Sequence, residues 1–166
     1  RRTVYYWIQE GTLKSVQIGG LHRFRREDID HLMEFGNAPV SGRRKKILAI
    51  DDDILVRESI KIFLGRAGYY VTIASDGPTA VSLSQQQDFD LTLTDLRMPE
   101  MNGLETLKAI RKVRQEAGKD MKPEIIMTAY DDEDAKAEAE AMGVRQFVTK
   151  PFEIDAFLGV ISANIA

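Results

Sequence analysis

The chain has 166 residues, 43% hydrophobic and 30% charged, a composition that suits a globular protein, and it holds no cysteine, which excludes disulfides and thiolate metal sites and fits a reducing, cytoplasmic setting. No apolar run approaches the ~18 residues of a membrane span and nothing resembles a signal peptide, so no membrane partner is expected. The net charge of −3 is split: residues 1–46 carry ten Lys/Arg against five Asp/Glu, and residues 47–166 carry thirteen against twenty-one, so a basic head suited to a polyanion precedes an acidic body.

The chain opens at Arg1-Arg2-Thr3 without Met, as a fragment that starts inside an element would. Thr3 to Glu10 reads as a short helix, with Val4, Trp7, Ile8 and then Leu13 facing inward and Gly11 ending it. Lys14 to Ile18 and Leu21 to Phe24 alternate and are joined by Gly19-Gly20, the spacing of a tight hairpin. Arg26-Glu27-Asp28 opens a second helix that runs to about Phe35. Residues 1–35 form a module whose core is very small. Residues 36–45 have linker composition, and residues 46–166 form the second module.

From Lys46 onward an apolar, β-prone run is followed by a helical stretch, five times over. Strands are predicted at 46–50, 70–74, 91–95, 124–128 and 146–149, and helices at 54–67, 78–87, 104–117, 132–142 and 153–164. Gly68 and Gly143 stand where a helix ends on a left-handed residue, and Pro78 stands where a helix begins. The central strands are apolar enough to be buried on both faces. Strict alternation implies right-handed crossovers and an α/β, doubly wound, five-stranded parallel sheet of flavodoxin-like type.

The strands end on chemistry. Asp51-Asp52-Asp53 follows the strand at 46–50, Asp95 ends the strand at 91–95, Thr128 ends the next, and Lys150-Pro151 follows the last. In a parallel sheet these ends share one edge, where α/β folds place their sites. A carboxylate can attack phosphorus and form an acyl phosphate. Carboxylate and phosphoryl group repel each other, and a hard cation on oxygen ligands offsets that repulsion. Asp51 and Asp52 can hold such a cation, Lys150 can pair with the phosphoryl group as a point charge, and Thr128 can donate a hydrogen bond to it. Acids after strands can also be simple helix caps; Asp53 reads as one, and Asp131, Asp132, Glu133 and Asp134 suit the dipole of a helix's first turn.

Residues 46–165 resemble the receiver domain of two-component response regulators. The matching segments are Ile47-Leu48-Ala49-Ile50-Asp51-Asp52-Asp53, Asp95-Leu96-Arg97-Met98-Pro99-Glu100-Met101-Asn102-Gly103, Ile126-Met127-Thr128-Ala129 and Lys150-Pro151-Phe152. The resemblance implies that Asp95 accepts a phosphoryl group. It implies Mg²⁺ or Mn²⁺ on Asp51, Asp52, Asp95 and the backbone carbonyl of Arg97. Thr128 and Lys150 become the switch hydroxyl and phosphoryl-binding lysine, Phe147 the switch aromatic, and the Lys150-Pro151 bond cis. The phosphoryl donor is a sensor histidine kinase or a phosphotransfer protein, and the receiver itself is no enzyme beyond self-catalysed phosphotransfer and dephosphorylation. Arg97 and Tyr130 lie two residues after Asp95 and Thr128, where bulk favours a long-lived phosphoryl state. A phosphorylation-dependent homodimer fits the family, although 143–147 lack the acids of one large subgroup's dimer face.

In the head, Arg2-Thr3-Val4-Tyr5-Tyr6-Trp7-Ile8-Gln9-Glu10-Gly11-Thr12-Leu13 and Ile18-Gly19-Gly20-Leu21-His22-Arg23-Phe24-Arg25-Arg26-Glu27-Asp28-Ile29 resemble the excisionase/MerR-like winged-helix family, with its first helix missing. That resemblance implies a helix in the major groove and a wing on the backbone. Arg1, Arg2, Tyr5, Tyr6, Arg23 and Arg25 are then the DNA-contacting residues, with the arginines mostly on phosphates. Together the two modules describe a response regulator with a DNA-binding output. Two alternatives compete with it: a head that docks a protein, and a phosphatase of the haloacid dehalogenase type. The second leaves Asp95-Leu96-Arg97-Met98-Pro99 without a role.

Overall fold

Residues 15–18, 21–24, 43–128, 133–144 and 146–165 are described by the structure, a computed structural model. The first two segments are the strands β1 (Ser15–Ile18) and β2 (Leu21–Phe24), antiparallel with Ile18 opposite Leu21. That register leaves only Gly19-Gly20 for the connection, as a tight hairpin requires. The helices expected at Thr3–Glu10 and from Arg26 to Phe35 lie outside the described residues, as does most of the expected linker.

The remainder alternates strand and helix: β3 (Lys46–Ile50), α1 (Ile54–Arg66), β4 (Tyr70–Ala74), α2 (Gly77–Gln86), β5 (Leu91–Asp95), α3 (Gly103–Glu116), β6 (Glu124–Thr128), α4 (Glu133–Ala141), β7 (Gln146–Thr149) and α5 (Ile154–Asn164). The five strands of this sheet stand in the order β4-β3-β5-β6-β7, and every neighbouring pair is parallel. Strand positions agree with those predicted, and helix ends agree or differ by one residue. The shift at α2 has a local cause: Asp76 is the N-cap and accepts from Thr79 N–H, so Gly77 rather than Pro78 is the first helical residue.

Side chains alternate across the sheet and split the core in two. Ile47, Ala49, Leu91, Leu93, Ile125 and Met127 face α1 and α5, where Val56, Ile60, Leu64, Phe157 and Ile161 close over them. On the other face Leu48 and Ile50 meet Ala80 and Ile110 from α2 and α3, and Ile126 meets Leu104, Leu107 and Ala139 from α3 and α4. Strands β3, β5 and β6 are buried on both faces, whereas the edge strands β4 and β7 are only partly covered. The end of α1 shows how the chain is turned back into the sheet. Gly68 adopts φ 93°, Gly68 N–H donates to Gly65 and Tyr69 N–H to Leu64, satisfying carbonyls the helix leaves open. Among the described residues no helix is long and apolar enough to cross a membrane.

Candidate functional site

The sheet reverses direction of growth between β3 and β5: from β3 the chain moves to the β4 side, and then returns to the β5 side. Such a switch point opens a crevice at the carboxyl ends of the two strands. Asp51 directly follows β3 and Asp95 ends β5, so each side of the crevice contributes an acid. Asp51 is 1% exposed and Asp95 8%, while Asp52 is exposed at the rim. Carboxylate oxygens of Asp51, Asp52 and Asp95 all lie within 4.8 Å of one another.

Lys150 binds the buried pair together. Its Nζ donates to Asp51 Oδ2 at 2.5 Å and to Asp95 Oδ1 at 2.8 Å. The lysine is aimed by the β6–β7 pairing, in which Thr128 stands opposite Thr149, and by its own backbone N–H, which donates to the Thr128 carbonyl at 2.6 Å. The Lys150-Pro151 peptide that follows is cis. Asp51 is fixed further by Asp53 N–H on its Oδ1 at 2.9 Å, and by Arg57, which donates to the Asp51 carbonyl at 2.6 Å. Asp53 caps α1, its Oδ1 accepting from Leu55 N–H at 2.8 Å, as the cap reading of that residue expects.

Burial governs the protonation of this cluster. It pushes the carboxyls of Asp51 and Asp95 above the usual carboxylate range, against the opposing pull of Lys150; Asp95 raises Asp51, and Asp52 raises Asp95, by like charge. Burial acts to lower Lys150, but the charges of Asp51 and Asp95 outweigh it and hold the ammonium above its ordinary value. Three carboxylates against one ammonium leave an excess of negative charge beside an exposed rim. An all-oxygen donor set of this kind fits a hard divalent cation and no softer metal.

The other expected residues take several positions. Thr128, 1% exposed, ends β6 beside Lys150. Arg97 is exposed two residues past Asp95. Phe147 is half-buried in β7 and packs on the cluster of Leu96, Leu104, Leu107, Ile126, Ala139 and Val144. Arg23 lies in β2 opposite Val16. Arg1, Arg2, Tyr5, Tyr6, Arg25 and Tyr130 lie outside the described residues. Two residues matter here that sequence reasoning passed over. Arg57 looks like any surface cation of α1, and nothing in its spacing reveals its grip on Asp51. Gly103 presses on the site so closely that a Cβ would stand 2.2 Å from the Asp95 carbonyl oxygen. The Asn102-Gly103 pair, ahead of Glu105 in a capping box, was the available signal for that approach.

Comparison with known proteins places this geometry. The family model for the response regulator receiver domain matches residues 47–162, and that for a helix-turn-helix domain matches residues 1–36. The transcriptional regulatory protein ZraR of Klebsiella oxytoca is 35% identical over 127 residues, 76% of this chain and 28% of that protein. The transcriptional regulatory protein FixJ of Bradyrhizobium diazoefficiens is 34% identical over 119 residues, 72% of this chain and 56% of that protein. The chain thus spans between about a quarter and about half of the length of these relatives. Among solved structures, the chemotaxis protein CheY4 of Vibrio cholerae superposes with a TM-score of 0.67 at 32% identity, covering 74% of this chain and 99% of that one. The receiver domain of the Francisella response regulator 1452 gives 0.64 at 31% identity, covering 74% and 97%.

Proposed function

The chain belongs to the response regulator receiver family, and from that premise we propose that Asp95 accepts a phosphoryl group from a sensor histidine kinase or phosphotransfer protein and so switches DNA binding by the N-terminal helix-turn-helix module. One observation carries the reading: Lys150 Nζ bridges the buried Asp51 and Asp95 at the switch point of the sheet. A carboxylate oxygen of Asp95 attacks phosphorus, the P–N bond of the donor's phosphohistidine breaks, and the leaving imidazole keeps the electron pair. Mg²⁺ or Mn²⁺ held by Asp51, Asp52, Asp95 and the Arg97 carbonyl would supply positive charge against the phosphoryl oxygens. Lys150, anchored by Asp51, holds the Asp95 carboxylate in place before the reaction. Afterwards the negative charge sits on phosphoryl oxygens instead, and the Lys150 ammonium, still anchored to Asp51, follows it. Thr128 supplies the hydroxyl that meets one of those oxygens.

The DNA part of the proposal rests on the helix-turn-helix match over residues 1–36, on the basic excess of residues 1–46, and on the transcriptional regulators among the relatives. Treating the protein with a small acyl- or amido-phosphate in Mg²⁺ tests the phosphoacceptor. Intact mass should rise by one phosphoryl group, and Asp95→Asn should abolish the increment. Equal labelling of that variant removes Asp95 from the role.

A further inference from the structure

The edge of the sheet opposite the acid cluster is basic. Arg43 and Arg44, both exposed, lead directly into β3, and Lys119 and Lys122, also exposed, lie in the loop before β6. Backbone hydrogen bonds stitch these segments to one another. Asp90 N–H donates to the Lys46 carbonyl at 2.7 Å, Thr92 N–H to the Pro123 carbonyl at 3.0 Å, and Tyr70 N–H to the Lys45 carbonyl at 2.9 Å. The starts of β3, β4, β5 and β6 therefore share one edge.

The acids of that edge are mostly engaged within the domain. Asp88 lies 3.0 Å from Lys119 Nζ and 3.4 Å from buried Arg114, Asp90 takes the Lys46 N–H at 2.8 Å, and Glu124 is clamped by Arg111. Glu116 and Asp120 are exposed there, and they are outnumbered by the cations. Lys119 and Lys122 belong to a body whose residues 47–166 carry eight more acids than bases, and Arg43 and Arg44 stand just before it. The basic edge stands where the helix-turn-helix match, ending at residue 36, joins the receiver. Seven residue steps separate residue 36 from Arg43, a reach of at most about 25 Å at ~3.5 Å per residue.

We propose that this basic edge, through Arg43, Arg44 and Lys122, is a second contact to the phosphate backbone of the duplex that the N-terminal module engages. The proposal rests on the DNA-binding reading above. Charge complementarity selects the occupant, and the tether keeps it within reach. The acid cluster lies on the far edge, so the sheet turns its repulsive side away from DNA. Contacts of this kind carry no sequence information; they add affinity and salt dependence.

The test measures binding of the intact protein to a duplex as a function of salt, with the Arg43→Gln/Arg44→Gln/Lys122→Gln variant beside the wild type. Circular dichroism checks that the fold is retained. Each phosphate that the variant no longer neutralises lowers the slope of log K against log salt by about 0.9. A decrease of about 2 or more in slope is therefore expected, equal for specific and random duplexes. A wild type that shows no salt-dependent binding to any duplex overturns the DNA reading and this contact with it. A wild type that binds, with an unchanged slope in the variant, overturns this contact alone. Loss of poly-glutamate binding with undiminished duplex binding would assign the edge to an acidic protein instead.

Discussion

At the scale of single residues the site is a balance of charge against burial, and Lys150 decides it. Asp51 and Asp95 are nearly inaccessible, and each would resist ionisation there without a cation. Replacing Lys150 by Met keeps the bulk and removes the charge. Both carboxyls, already raised by burial, then rise further. A carboxyl whose folded pKa lies above its unfolded value favours folding at pH below the unfolded value, and that contribution is lost as pH rises through the folded one. The penalty of Lys150→Met is therefore small near pH 3, below the ordinary carboxylate value, and largest at pH 7. There it should approach about 3 kcal/mol, the lower end for a buried pair broken on one side, because the exposed Asp52 rim admits water. Urea midpoints at the two pH values measure this. An equal penalty at both would mean that Lys150 contributes packing and no charge compensation.

At the scale of elements, the site depends on α3 starting in one place. Asn102 accepts from Glu105 N–H at 2.9 Å, and the Glu105 carboxylate accepts from Asn102 N–H at 2.9 Å, so the helix begins at Gly103 and nowhere else. Gly103 N–H then donates to the Leu96 carbonyl at 2.9 Å, tying the helix to the residue after Asp95. Gly103→Ala would drive a methyl group into the Asp95 carbonyl oxygen, a backbone atom that cannot turn aside. A cost of about 1–3 kcal/mol is expected, as for other overpacked positions, together with slower labelling by a small phosphodonor. Thermal denaturation and intact mass read the two effects, and unchanged labelling would separate helix placement from the chemistry. The same elements show what can be read from sequence. The strands are legible because β3, β5 and β6 are apolar and buried on both faces, and Gly68 and Gly143 stop helices where left-handed backbone is needed. Acids at strand ends are legible as a cluster because parallel topology forces them to one edge. Asn102-Gly103 ahead of Glu105 marks a helix start without giving its distance from Asp95, and the Arg57 bond to the Asp51 carbonyl is not legible, because spacing along α1 does not say which backbone atom a cation reaches. Nor is the basic edge, which is assembled from separate segments of the chain.

At the scale of the whole molecule, the question is how an event on one edge reaches a module joined to the other. A strand of five residues spans about 17 Å at ~3.3 Å per residue, about twice the ~8 Å screening length at physiological salt. The added charge of phosphorylation, about −1.5 to −2, therefore does not act on the basic edge through its field alone. The signal needs packing that has two arrangements. Thr128 and Phe147 are suited to it: Thr128 ends β6 beside Lys150, and Phe147 stands in the neighbouring strand, half-buried against Leu96, Leu104, Leu107, Ile126, Ala139 and Val144. If Thr128 moves toward a phosphoryl oxygen, the ring of Phe147 fills the space it leaves, and the surface formed by α4, β7 and α5 changes with it. A change in self-association is the expected readout. Thr128→Ala keeps Asp95 and Lys150 intact and removes the hydroxyl together with the methyl group beside it. Sedimentation of wild type and variant, each with and without a phosphoryl mimic, should show association strengthened in the wild type and weakly affected in Thr128→Ala. The missing coupling should amount to about 1–3 kcal/mol, or about 5–150-fold in the association constant. A full response by Thr128→Ala would break the relay while leaving Asp95 as phosphoacceptor, because acceptance and transmission are carried by different atoms of the same edge.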